Sequence, residues 1–339
     1  MSDMLQFAKH FGEFLGRRNL QHMIVHVTNH CNFRCSHCFI DFSPKKDLTL
    51  ASYQKLGREV GPLFWLDIAG GEPFLRKDLA EIVASFDANV VQIPSNGSLP
   101  KLMAEQLDRM RSATKAQVTI SLSLDGLKET HERTRKAPGN WDQVWETFEM
   151  LKQRDLPVKI NTVLTRDNAS EILELMRVVR SHKPDFHSII LLRGEPMSPA
   201  VALPPVEELR RLGPEIFRIL ETYDYGKGRL SAHLLRNYHR YLWNLSLQTI
   251  EQQRQVIPCL AGRAHMVVYG DGRVSSCEML ETVGDLKTQS WSEIQSSDSL
   301  KDQRQFIADK RCHCTHNCAM LDSILLNPAS LPHLVSENV

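Results

Sequence analysis

Eight cysteines carry the chemistry this sequence offers, and they are not scattered. Cys31, Cys35 and Cys38 lie within eight residues, in the run His30-Cys31-Asn32-Phe33-Arg34-Cys35-Ser36-His37-Cys38. The other five, Cys259, Cys277, Cys312, Cys314 and Cys318, fall in the last quarter, and the 220 residues between the two groups hold none. Thiolates are the usual ligands of iron–sulfur clusters. Three on one loop can hold three irons of a cubane and leave the fourth open. An open position is what a catalytic metal needs, whereas a structural metal is fully enclosed by its ligands. The competing reading is zinc, with His30 or His37 as fourth ligand, but C-x3-C-x2-C is not the usual zinc spacing.

Something must position that loop. From residue 22 to about 194 the chain alternates strand-like and helix-like segments. Strands are expected over 22–28, 65–69, 89–94, 117–124, 158–164 and 187–192. In the fourth, Val118, Ile120, Leu122 and Leu124 alternate with Thr119, Ser121 and Ser123. Helical stripes stand between strands, such as Leu79-Ile82-Val83-Phe86 and Ile172-Leu175-Met176-Val179. Six β-α units imply a parallel sheet with right-handed crossovers, whose functional groups gather at the C-terminal strand ends. Polar motifs fall at such ends. Gly70-Gly71-Glu72-Pro73 follows the second strand, and Ser95-Asn96-Gly97 the third. Ser123 and Asp125 close the fourth, Leu164 the fifth, and Arg193 and Glu195 follow the sixth. Each has a plain reading too: a turn, an αL glycine, a cap, a core leucine, an ion pair.

Composition sets the outer bounds. At 339 residues, 42% apolar and 24% charged, the chain is expected to pack a large domain and a smaller one. A net charge of +1 gives no push toward nucleic acid or an anionic membrane. No apolar run approaches a membrane span, and the first 20 residues read as an amphipathic helix rather than a signal peptide. A reducing, cytoplasmic setting follows, so disulfides are not expected.

In order and spacing these motifs resemble the radical SAM (S-adenosylmethionine) superfamily over residues 22–194. The resemblance implies a partial (β/α)6 barrel in which Cys31, Cys35 and Cys38 hold a [4Fe–4S] cluster. The open iron would chelate SAM, and cluster reduction would yield a 5′-deoxyadenosyl radical. The electron would come from an external donor such as flavodoxin or ferredoxin. By the same resemblance Gly70, Gly71, Glu72 and Pro73 meet the SAM amino group, and Ser95, Asn96, Ser123 and Asp125 shape its pocket. Arg135, in His131-Glu132-Arg133-Thr134-Arg135-Lys136, pairs with the SAM carboxylate, and Leu164 packs on the adenine. His37 departs from the aromatic residue usual beside the adenine.

The spacing of Cys259, Gly272 and Cys277 resembles the opening of a SPASM/twitch extension, which binds auxiliary [4Fe–4S] clusters. Five cysteines imply one such cluster. Cys259, Cys277 and Cys318 are the expected ligands, with Cys312 or Cys314 as fourth; the alternative is a four-cysteine zinc site with His313 and His316 nearby. The expected domains are an N-terminal helix (1–21), a radical SAM core (22–195), a linker and helical bridge (196–255) and a cluster-binding unit (256–339). Such enzymes oxidise small molecules or mature peptides and proteins. The short segment before the barrel tilts the expectation toward a small molecule. A non-catalytic metal-binding scaffold is the reading of another class. No catalytic acid or base is evident.

Overall fold

The computed structural model describes residues 3–17, 20–223, 225 and 228–336. After α1 (Asp3–Arg17), the strands β1 (His22–His26), β2 (Leu63–Ala69), β3 (Ala88–Ser95), β4 (Gln117–Ser123), β5 (Val158–Leu164) and β6 (Phe186–Leu191) pair side by side, all parallel. The crossovers carry α2 (Leu50–Val60), α3 (Leu79–Ala84), α4 (Pro100–Ala113), α5 (Lys128–Arg135), α6 (Asn140–Gln153) and α7 (Ile172–Ser181).

The sequence alternation explains the layering. Met23 and Val25, Leu66 and Ile68, Val91 and Ile93, Ile120 and Leu122, and Val158 and Ile160 are all buried against the helices. Each contributes about 1.5–3 kcal/mol through burial. The helices answer with Leu79, Ile82 and Val83, and with Ile172, Leu175, Met176 and Val179, all fully buried. The opposite strand face is the barrel lumen, and it is polar. Registers His22↔Trp65 and Ile24↔Asp67 place His22, Ile24 and His26 on this side with Trp65 and Asp67. Thr119, Ser121, Ser123, Lys159 and Asn161 continue it. The polar side of the fourth strand's alternation is thus interior: Thr119 and Ser121 are buried.

Beyond the barrel come α8 (Val206–Leu220) and α9 (Arg229–Gln252), the expected helical bridge. Of its interruption at 225–228, residues 226 and 227 lie outside the described residues. The C-terminal part holds β7 (His265–Val268), β8 (Arg273–Ser275), β9 (Gly284–Asp285), α10 (Trp291–Ser296), α11 (Asp298–Ala308), α12 (Asn317–Leu325) and α13 (Leu331–Val335). The hairpin expected around Gly270-Asp271-Gly272 forms between β7 and β8. It is not a detached module, because β7 pairs parallel with β1 and the nine strands make one sheet, in the order β6-β5-β4-β3-β2-β1-β7-β8-β9. Residues 196–205 are not a free linker either. Met197 N–H donates to Cys38 O at 2.8 Å and Ser198 N–H to Ser36 O at 2.9 Å, so this segment braces the cysteine loop. Among the described residues no helix is long and apolar enough to cross a membrane.

Candidate active site and metal centres

The loop bearing Cys31, Cys35 and Cys38 lies at the C-terminal mouth of the barrel, just past β1. Neighbouring motifs lace it down through the backbone. Gly71 N–H donates to Thr28 O at 2.8 Å and Glu72 N–H to His30 O at 2.9 Å. A Cβ on Gly70 would stand 2.3 Å from Thr28 O, and one on Gly71 2.1 Å from His30 O. The glycine pair is therefore required by close packing against the residues that lead into Cys31. From the other side, Ser36 N–H donates to Thr134 O at 2.9 Å. All eight cysteines are free thiols. Burial pushes Cys35 up to about 12, against the pull of Arg135, and raises Cys31 and Cys38 as well. Cationic iron would replace these protons.

Glu72 joins two SAM-pocket motifs into one unit. Ser95 Oγ–H donates to its Oε1 at 3.0 Å and Asn96 N–H to its Oε2 at 2.8 Å. Phe74 N–H adds a third bond at 3.2 Å, at the head of the short helix opened by Pro73. Burial raises its pKa to about 7, although these donors pull it down. Asn96 Nδ2 also donates to Asn32 Oδ1 at 2.9 Å, inside the cysteine loop.

Asp125 does not cap the following turn. It is fully buried, accepts from Val163 N–H at 2.9 Å and lies 2.7 Å from Arg135 Nη2. Although burial opposes it, Arg135 and then His37 hold its carboxyl below the usual range. Arg135 is thus committed to Asp125, with Nη1 4.0 Å from Cys35 Sγ and Nε still without a partner. Ser123 is half-buried on the lumen face, level with Asn161. Leu164 departs from expectation. It is fully buried in the main core, in phase with Ile160 and level with Leu191, and so faces the helices rather than the pocket.

The five C-terminal cysteines occupy two neighbourhoods. Cys259, Cys312 and Cys314 line one small cavity. Cys277 shares an apolar cluster with Cys259 and Cys312, and Cys314 and Cys259 oppose its ionisation after burial has raised it. Cys318, in the first turn of α12, instead points to the lumen with Sγ 3.5 Å from Asp67 Oδ2. After burial, the charges that bear most on it are Asp67 and Glu278. Cys259, Cys277, Cys312 and Cys314 thus share one neighbourhood, while Cys318 has Asp67 beside it. Histidine does not complete a zinc site here. His316 Nε2 contacts Glu278 and its Nδ1 accepts from Ala319 N–H, while His313 Nε2 meets Gln253. Among the described residues no three cysteine sulfurs lie within 4.8 Å of one another. The donor set fits iron–sulfur clusters at both places.

Sequence reasoning missed Glu278, directly after Cys277. Its carboxylate is buried between two imidazoles, His26 Nε2 at 2.8 Å and His316 Nε2. Burial opposes ionisation, but His316 and His26 hold this carboxyl well below the usual range. Arg193 forms no ion pair with Glu195. Its guanidinium lies 5.2 Å from the Phe39 ring centre, its Nε is buried without a partner, and its charge reaches both His37 and Cys314.

Comparison with known proteins follows the same division. Residues 25–179 match the radical SAM superfamily and residues 259–319 the SPASM iron–sulfur cluster-binding domain. The AdoMet-dependent heme synthase of Methanosarcina barkeri is 26% identical over 286 residues, 79% of this chain and 80% of that protein. A GTP 3′,8-cyclase of Helicobacter pylori is 27% identical over 240 residues, 66% and 72%. Among solved structures, Streptococcus suis SuiB bound to S-adenosylmethionine overlays with a TM-score of 0.65 at 15% identity, covering 88% of this chain and 72% of that one. The anSMEcpe structure with AdoMet and a peptide gives 0.61 at 17%, covering 85% and 83%. These overlays speak for the fold. Matched motifs, a parallel barrel and two groups of free thiols agree: the chain belongs to the radical SAM superfamily, an enzyme that uses SAM with a [4Fe–4S] cluster and carries a SPASM-type domain for auxiliary iron–sulfur binding.

Proposed function

We propose that this enzyme removes hydrogen from an unactivated C–H position of a small anionic molecule held at the barrel mouth. The observation that carries the reading is Arg193, a cation without an ion-pair partner among the described residues, whose charge reaches His37 beside the triad and Cys314 and Cys318 of the C-terminal group. A guanidinium with free donors suits a carboxylate or phosphate. When bound, SAM and the triad cluster supply the hydrogen-abstracting radical, and a cluster on the C-terminal thiols supplies an electron acceptor.

The chain's own residues complete such an oxidation. Cys31, Cys35 and Cys38 would hold the SAM cluster, and Cys259, Cys277, Cys312 and Cys314 the auxiliary one. Glu72 and Arg135 would face the amino and carboxylate groups of SAM. Oxidation of a carbon radical releases one electron and one proton. The hydrogen-bonded chain His26–Glu278–His316 supports the reading as a route for that proton, with an imidazole rather than the strongly ionised Glu278 as the acceptor. The names heme synthase and GTP cyclase support a small-molecule substrate.

The test uses an extract of cells grown in heavy water, split by size. Anaerobic enzyme, SAM and dithionite are added to each fraction, and deuterium is measured in 5′-deoxyadenosine. Label arising from the low-mass fraction is the expected result. Label arising only from the protein and peptide fraction would replace this reading with a maturase. No label from either would refute hydrogen abstraction from a cellular substrate.

A further inference from the structure

Three buried side chains at the opposite, closed end of the barrel take no part in the chemistry above. His22 opens β1, His265 opens β7, and Asp322 lies on α12. His22 and His265 are register partners with ring centres 5.8 Å apart. Asp322 Oδ2 lies 2.9 Å from His22 Nδ1 and 2.8 Å from His265 Nδ1. One ligand atom from each of the three residues falls within 4.8 Å of the other two.

Three features distinguish this group from an ordinary hydrogen-bonded triad. First, both ring nitrogens of His265 are buried without a hydrogen-bond partner; Nδ1 is close to Asp322 but off the line of an N–H···O bond. Metal ligands crowd one another in this way without donating to one another. Second, His22 Nε2 lies 3.3 Å from Asp67 Oδ2. A carboxylate on the far nitrogen of a histidine fixes the tautomer whose other nitrogen offers a lone pair to a metal. His22 Nδ1 and Asp322 Oδ2, 2.9 Å apart, share a hydrogen-bonding proton, and a metal ion would take that proton's place between them. Third, a cavity of about 20 Å³ opens against His22 and Asp322, roofed by His10 of α1. It has room for one water as a further ligand.

We propose that His22, His265 and Asp322 bind one divalent transition-metal ion, separate from the iron–sulfur centres. Two imidazoles and one carboxylate suit zinc, iron(II) or cobalt(II), whereas magnesium and calcium prefer all-oxygen sites. Bound there, the ion ties the first barrel strand, the hairpin strand and the helix bearing Cys318 to one point. It joins elements some 300 residues apart in sequence.

The test uses the holoenzyme with its clusters oxidised, in which state [4Fe–4S] centres give no paramagnetic resonance signal. Zinc is measured as isolated. The protein is then treated with a mild chelator, titrated with cobalt(II) and dialysed. The expected result is one zinc or cobalt per chain, with a high-spin cobalt signal whose pulsed spectra show two imidazole nitrogens. His265→Gln and Asp322→Asn, checked for fold by circular dichroism and iron content, should weaken cobalt binding at least about a hundredfold, and Asp67→Asn by about tenfold to a hundredfold. Absence of retained zinc and cobalt in the wild type would overturn the proposal. So would a cobalt spectrum without histidine nitrogens, a readout that needs no variant.

Discussion

Adding a single methyl group at Gly71 should disable the SAM cluster while sparing the rest of the molecule. In Gly71→Ala the new carbon would stand 2.1 Å from His30 O, 2.5 Å from His30 C and 3.0 Å from Cys31 N. Carbon–oxygen contacts settle near about 3.3 Å, so the two backbones must part by roughly 1.2 Å. That breaks the Gly71–Thr28 and Glu72–His30 bonds, each worth about 0.5–1.5 kcal/mol. Overpacking adds about 1–3 kcal/mol. The total, about 2–6 kcal/mol, falls on the residues entering Cys31. The assay is iron content after anaerobic reconstitution, with 5′-deoxyadenosine formed from SAM and dithionite. Iron should fall from about eight toward about four per chain. SAM cleavage should drop at least about a hundredfold, which corresponds to about 2.7 kcal/mol. The control is Gly12→Ala, whose Cβ meets nothing within 4 Å on an exposed helix position. Full iron and normal 5′-deoxyadenosine in Gly71→Ala would refute the packing argument.

Two further predictions concern individual ligands. Cys277→Ala and Cys314→Ala should each lose about four irons yet still form 5′-deoxyadenosine, whereas Cys318→Ala should keep its iron; an iron loss in Cys318→Ala alone would reverse the assignment made from the thiol positions. SAM affinity should fall about tenfold per pH unit below about 7, because burial holds a proton on Glu72 up to that pH and the SAM ammonium needs the ionised carboxylate. The sign for the free protein is opposite: the raised pKa favours the folded state below the ordinary carboxyl value and loses that contribution as pH rises through about 7. Glu72→Gln should bind SAM about 1.5–3 kcal/mol more weakly, with a flat profile and little change in iron. A sloping profile in Glu72→Gln would return the carboxylate to a purely structural role.

The features legible in the sequence are those whose chemistry is local. Three thiols on one loop, glycines after a strand and a Gly-Asp-Gly hairpin announce themselves by spacing. Other features needed the tertiary structure. β1 reads His-Met-Ile-Val-His, an apolar run in which the two histidines look incidental. The pleat turns both inward, and their partners Glu278 and Asp322 are supplied by the far end of the chain. The spacing points to Cys318 as a ligand and leaves Cys312 and Cys314 open. The helix starting at Asn317, capped by His316, turns Cys318 toward Asp67 and away from the others. Leu164 ends its strand where a pocket residue would stand, but alternation from Ile160 sends it to the core. The strand pairing of β7 with β1 left no local mark, since a short apolar run does not state its neighbour.

The central claim is that the N-terminal triad leaves one iron open to SAM. The most direct measurement is 5′-deoxyadenosine formation by Cys35→Ala, reconstituted anaerobically and given SAM and dithionite. The account predicts that cleavage vanishes while the C-terminal thiols retain about four irons per chain. Undiminished SAM cleavage by Cys35→Ala would contradict it.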